Sequence, residues 1–157
     1  MTAKMRVFLD TSVLVAATLS DTGGSRTVLR MGELEVVDLW VGPRVLAEAD
    51  EVFTRKAPRS KALLAMLLDR ARVTVGPEPG KREVARASAA VTYKPDARIL
   101  AEALAAEANY LVTLDKAHLL CNQLAAGLPL MIGSPGDLLA LLRARWQESQ
   151  KGWLATS

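Results

Sequence analysis

Asp10 and Asp115 stand where two short apolar runs stop. Met5-Arg6-Val7-Phe8-Leu9 ends in Asp10-Thr11-Ser12, and Tyr110-Leu111-Val112-Thr113-Leu114 ends in Asp115. A strand-like run closed by an acid puts a carboxylate at a strand's carboxyl end, the edge at which open α/β sheets bind ligands. Thr113 lies two residues before Asp115, so strand alternation sets its hydroxyl on the same side. Thr11 and Ser12 add hydroxyls beside Asp10 that can orient a carboxylate or a water. Asp96 heads a helical stripe with Leu100, Ala103 and Leu104 at about 100° per residue, so it points with the core-facing side chains. On the helix opening at Pro43 the apolar arc is Val45, Leu46, Ala49, Val52 and Phe53. Glu51 falls opposite that arc, whereas Glu48 and Asp50 border it, and periodicity does not choose between the two.

Each acid also has an ordinary role. Asp10 and Ser12 can cap the helix that follows, an acid in the first turn suits Asp96, and Asp115 can cap a short helix through Leu119 and Leu120. Convergence on one sheet edge is what departs from those roles. Two carboxylates about 4 Å apart repel by about 4 kcal/mol at an effective dielectric of about 20. A cluster of them therefore takes up protons or binds a cation. Oxygen donors with no histidine or cysteine in the set favour Mg²⁺ or Mn²⁺ over Zn²⁺. A hard cation at a strand edge implies chemistry on phosphate.

The elements that must position these acids alternate along the chain. Strands are predicted at Met5–Leu9, Val36–Val41, Arg72–Val75, Tyr110–Thr113 and Pro129–Ile132. Helices are predicted over Ser12–Leu19, Ser25–Gly32, Pro43–Thr54, Ser60–Arg70, Arg82–Ala89, Pro95–Ala108 and Pro135–Gln147. Pro43, Pro95 and Pro135 each fall at a helix start, where proline is best tolerated. Alternation of this kind predicts an α/β fold with a mostly parallel sheet. Beyond Gln147 the apolar periodicity fades, so residues 148–157 read as a tail, partly disordered, with Trp153 able to dock.

The chain's 157 residues, half of them hydrophobic, suffice for one domain with a buried core. With only 4% aromatic residues, that core must be built from Leu, Val and Ala. No apolar stretch reaches the roughly 18 residues of a membrane span. The opening Met-Thr-Ala-Lys-Met-Arg carries no cleavable-signal pattern, and Cys121 is the single cysteine. A cytoplasmic, reducing location is the expectation. A net charge of +3 permits a polyanionic partner. Arg26, Arg44, Lys94 and Arg98 lie near the expected edge and could face phosphates, although each also reads as an ordinary surface charge.

The chain resembles the PIN-domain ribonucleases, in particular bacterial toxins of VapC type, from Arg6 to about Arg145. The residues that carry the likeness are Val7-Phe8-Leu9-Asp10-Thr11-Ser12-Val13-Leu14-Val15, Pro43-Arg44-Val45-Leu46-Ala47-Glu48, Asp96-Ala97-Arg98-Ile99-Leu100-Ala101-Glu102-Ala103 and Tyr110-Leu111-Val112-Thr113-Leu114-Asp115. Their order and spacing are more specific than any one of them. The resemblance implies a three-layer α/β/α sandwich with a central sheet of about five strands, a PIN domain over residues 1–147. It further implies that Asp10, Glu48, Asp96 and Asp115 form an acidic centre for Mg²⁺ or Mn²⁺, choosing Glu48 over Asp50, with Ser12 and Thr113 as supporting hydroxyls. Many members place another acid shortly after the last Asp, where this chain has Lys116, Ala117 and His118, which leaves the count of metal ions open. His118, the one histidine, reads as a packing or substrate-edge residue.

By the same resemblance the expected activity is metal-dependent hydrolysis of RNA phosphodiester bonds. The expected partners are RNA, a cognate antitoxin protein and a second copy of the chain, to which Leu138, Leu139, Leu141 and Leu142 could contribute. The competing reading is a catalytically silent PIN-like module that binds RNA or protein. Haloacid-dehalogenase chemistry would need a second acid where Ser12 stands. A receiver domain would need an acidic pair and a late-strand lysine that are missing.

Overall fold

The computed structural model describes residues 3–115 and 127–156. The strands are β1 (Arg6–Leu9), β2 (Asp38–Val41), β3 (Thr74–Val75), β4 (Tyr110–Val112) and β5 (Met131–Gly133). The helices are α1 (Thr11–Leu19), α2 (Gly24–Glu33), α3 (Pro43–Lys56), α4 (Lys61–Arg70), α5 (Lys81–Ala90), α6 (Lys94–Ala105) and α7 (Pro135–Thr156), with a short 3₁₀ turn at Pro58–Ser60. All strand pairs are parallel and run in the order β3-β2-β1-β4-β5. The three-layer α/β/α arrangement follows: α1, α2 and α4 pack together on one side with α3, and α5 packs on α6 on the other. No helix among the described residues is long and apolar enough to cross a membrane.

β1 is central because it is apolar on both faces, with Val7, Phe8 and Leu9 all fully buried; both faces of a parallel sheet are covered by helices. The chain leaves β1 for β2 on one side, continues to β3, and returns to the other side as β4. The topological switch point therefore lies between the carboxyl ends of β1 and β4, where a crevice opens. Register fixes what meets there. Leu9 pairs with Val112, and the Asp10 N–H donates to the Val112 carbonyl at 3.0 Å, so Asp10 and Thr113 emerge side by side.

Three helices feed their strands through one device. After α2, α4 and α6 the chain passes through Glu35, Arg72 and Glu107, all at positive φ (60°, 56° and 54°). In each case the next residue's N–H reaches back into the last turn: Val36 to Met31, Val73 to Leu68 and Ala108 to Ala103. This is the Schellman arrangement, normally closed by glycine. Here charged residues hold the left-handed position, and two of them, Glu35 and Arg72, bond to each other at 2.8 Å.

That device corrects one sequence boundary: α6 stops at Ala105, not Ala108, because Glu107 turns left-handed. A second difference lies at the C-terminus, where α7 runs to Thr156 instead of ending near Gln147. Its second half is exposed, and Trp153 retains 67% of its surface. Leu138 belongs to the core and Leu139, Leu141 and Leu142 pack against it, so the intramolecular core accounts for all four leucines. Lys116, Ala117, His118, Cys121 and the short helix expected through Leu119 and Leu120 lie outside the described residues.

Candidate active site

Asp10 is the N-cap of α1 and the centre of a hydrogen-bonded cluster. Its Oδ1 accepts the Thr11 N–H at 2.6 Å, and its Oδ2 accepts the hydroxyls of Thr113 at 2.7 Å and Ser12 at 3.1 Å. Ser12 Oγ in turn accepts the Leu114 N–H at 3.1 Å, and Thr113 Oγ1 accepts the Asp115 N–H at 3.0 Å. The two strand ends are thus stitched together by two hydroxyls, which fixes Asp10 and the backbone at Asp115 relative to each other. Asp10 is only 5% exposed. Burial pushes its carboxyl above the ordinary 3.8 against the pull of these hydrogen bonds, and the nearby charge of Asp115 adds to the rise.

Glu48 joins the cluster from α3. The Thr11 hydroxyl donates to Glu48 Oε2 at 3.1 Å, so one threonine links the acid on α3 to the turn that holds Asp10. The structure separates the neighbours that periodicity left open: Asp50 faces Lys61 at 3.1 Å and is largely exposed, and Glu51 is exposed. Asp96 lies in the first turn of α6, 4% exposed, on the buried stripe with Leu100, Ala103 and Leu104. Asp10, Ser12, Thr113 and Asp115 thus form one connected group, with Glu48 tied on through Thr11. Among the described residues, however, no three carboxylates approach closely enough to hold a metal ion together.

The donor set nevertheless suits a hard cation. It consists of carboxylate and hydroxyl oxygens, and burial together with the charge of Asp115 disfavours ionisation of the Asp10 carboxyl, a penalty that a cation would relieve. A carboxylate has about four lone-pair positions, and the three donors to Asp10 leave one for a ligand.

Glu102 was not selected by the sequence reasoning. It is 2% exposed on α6, and its Oε2 accepts the Arg44 N–H at 3.0 Å across 58 positions of sequence; the nearby Val45 N–H also favours its charged form. These are orphan donors of the first turn of α3. The residue at the α3 N-cap, Gly42, has no side chain to offer them, and any Cβ there would collide with the Glu102 carboxylate. Glu102 is therefore the cap of α3 supplied from another helix, and it fixes the start of the helix that carries Glu48. Burial raises its pKa above the usual 4.5, with the charges of Glu78 and Glu48 adding to the rise. The sequence signal was a negative one: Gly42-Pro43 opens a helix with no capping side chain.

Beside Glu48 a cleft of about 740 Å³ runs between α3, α5 and α6. Of the four basic residues expected near this edge, Arg44, Lys94 and Arg98 line it. Arg26 does not; its Nε donates to the Ala17 carbonyl at 2.6 Å and closes the end of α1.

A PIN-domain family model matches residues 6–117, which spans β1 through β4 and every acid named above. The chain belongs to the PIN-domain family. A chain in the crystal structure of VapBC2 from Rickettsia felis, bound to a DNA fragment from their promoter, superposes on this PIN domain with a TM-score of 0.63. It is 17% identical in sequence, and the match covers 83% of this chain and 98% of that one; at that identity the likeness is one of fold. No curated protein matches the sequence.

Proposed function

We propose that this PIN domain is a metal-dependent endoribonuclease and the toxin member of a toxin–antitoxin pair, acting in the cytoplasm. The observation that carries this reading is the buried Asp10 carboxylate at the switch point, braced by Thr113 and Ser12 and set against Asp115. PIN domains are generally nucleases, and a carboxylate pocket of this kind suits a cation that would sit beside a phosphate. Asp10, Glu48, Asp96 and Asp115 would hold the ion, Mg²⁺ or Mn²⁺. When bound, it supplies Lewis acidity that stabilises charge on the phosphate oxygens.

The chain's own groups do the rest. Thr113 and Ser12 hold Asp10 in one rotamer, and Thr11 holds Glu48 to the same turn. Glu102 fixes the first turn of α3, and with it Arg44, whose Nε stands 3.8 Å from Glu48 Oε1. Arg44, Lys94 and Arg98 supply positive charge along the cleft to offset the repulsion between acids and RNA.

The antitoxin belongs to this reading because the VapBC2 structure is itself a complex of two proteins. A homodimer is expected as well, and the exposed apolar side chains Trp146, Trp153 and Leu154 on α7 offer it a surface. The alternative, a silent binding module, draws on the separation of the acids: no three of them meet among the described residues. Cleavage of a labelled RNA pool with Mg²⁺, Mn²⁺ or EDTA, beside Asp10→Asn, decides between them. A nuclease cuts with metal and stops in the mutant and in EDTA; a binding module retains RNA and never cuts.

A further inference from the structure

The cleft between α3, α5 and α6 contains more than the nuclease reading uses. At about 740 Å³ it falls within the range of pockets that enclose a small ligand. Lys94 and Arg98 stand one helical turn apart on α6, both exposed, and neither forms an ion pair among the described residues. Glu48, Glu51 and Glu78 occupy other walls, and Arg44 beside them is paired with Glu48, so the cations of the cleft without an ion pair among the described residues are those of α6. Ala97, Ala101 and Val84 give the lining a small apolar surface.

Glu102 also lines this cleft. One of its oxygens, Oε2, is taken by the Arg44 N–H, whereas Oε1 is buried with no hydrogen-bond partner. Buried polar atoms are almost always paired in folded proteins. That oxygen is closed to solvent in this structure, so a donor brought by a ligand would meet it on a small rotation of the side chain that keeps Oε2 on the Arg44 N–H.

We propose that this cleft holds one nucleotide of the RNA strand, the one flanking the scissile phosphate, with Lys94 and Arg98 on that nucleotide's own phosphate and Glu102 Oε1 accepting an N–H from its base. The assignment rests on the nuclease reading for its substrate. It also fixes a base preference. Adenine, cytosine and guanine carry an exocyclic amine for Oε1, whereas the one Watson–Crick-edge N–H of uracil is flanked by two carbonyl oxygens that repel a carboxylate.

The test is binding of AMP, CMP, GMP and UMP to the full chain in EDTA, by calorimetry and by amide chemical-shift mapping. The shifts should concentrate on α3, α5 and α6, and UMP should bind about tenfold more weakly than the best of the other three. Lys94→Ala combined with Arg98→Ala should weaken all four alike, since it removes phosphate contacts and no base contact.

Glu102→Gln gives the sharper readout. The Gln carbonyl must face the Arg44 N–H, so its NH₂ takes the place of Oε1 and turns an acceptor into a donor. Preference should then swing toward UMP. If Glu102→Gln does not fold, the shift map and the Lys94/Arg98 double variant decide alone. Absence of binding at millimolar nucleotide, shifts centred elsewhere, or unchanged affinity in the double variant would overturn the assignment, as would an unaltered base order in folded Glu102→Gln. Metal-dependent RNA cleavage without nucleotide binding here would remove the pocket and leave the nuclease. Binding as described without cleavage would remove the nuclease and leave a nucleotide site.

Discussion

Asp10 and Glu102 are both buried carboxylates, and both are raised in pKa by burial, yet they are held in different ways. Asp10 sits at the junction of β1 and β4, where two side-chain hydroxyls and its neighbour's N–H serve it. Glu102 sits at the junction of α6 and α3, where it serves backbone donors of another helix and keeps one oxygen unpaired. The first is a charge held ready by the fold; the second is a charge that holds the fold. Substituting the first should therefore cost chemistry, and substituting the second should cost structure.

The largest effect that would break this contrast is at Asp10. Asp10→Asn should lower RNA cleavage on the order of a thousandfold, the loss of several kcal/mol of charge stabilisation, while leaving the metal-free protein at least as stable as wild type. The pH dependence has a definite sign. A carboxyl whose folded pKa lies above its unfolded value binds more protons in the folded state, so its contribution is complete below the unfolded value and is lost as pH rises through the folded one. Stability in EDTA should thus fall as pH rises from about 3.8 for Asp10 and about 4.5 for Glu102. Asp10→Asn should flatten its share of that decline in urea unfolding series. An unchanged profile would remove the claim that burial strains Asp10.

Glu102 comes next. Glu102→Ala should destabilise the protein by about 2–4 kcal/mol, because it strips the α3 cap and opens a cavity. Gly42→Ser should also destabilise, by driving a Cβ into the carboxylate. The double variant should recover much of the loss: Gly42 already has extended cap geometry (φ −101°, ψ 165°), and Ser can then cap α3 locally. Two losses that add instead of cancelling in denaturant midpoints would contradict the cap from α6.

Smaller still is Thr113→Val, which removes the donor to Asp10 and the acceptor for the Asp115 N–H. A loss of about ten- to a hundredfold in metal affinity is expected by calorimetry, with little change in unfolding. The smallest effect lies far from the acids. Glu107→Gly relieves a left-handed residue at φ 54° and should stabilise by about 1 kcal/mol, a rise of roughly 2–4 °C in melting temperature; a fall would mean that Glu107 makes contacts worth more than the strain.

The sequence was most informative where local rules and the tertiary fold agree. Asp10 and Asp115 were visible because an apolar strand ending in an acid is a local pattern, and Pro43 marked a helix start for the same reason. Glu102 was invisible because its partner lies 58 positions away, and only the missing cap at Gly42 hinted at it. α6 was read too long because Ala106, Glu107 and Ala108 include good helix formers; the turn is imposed by the strand that follows. The apolar periodicity fades near Gln147, which set the expected end of α7 there, although Glu148, Gln150, Lys151, Leu154 and Ala155 still favour a helix.

The central claim is that Asp10, Glu48, Asp96 and Asp115 act as one metal centre although no three of them converge among the described residues. Mn²⁺ affinity, titrated by calorimetry in wild type and in Asp10→Asn, Glu48→Gln, Asp96→Asn and Asp115→Asn, tests it directly. One centre predicts that each substitution weakens the same binding event. Wild-type affinity in Glu48→Gln and Asp96→Asn would contradict it, reducing the site to the Asp10–Asp115 pair.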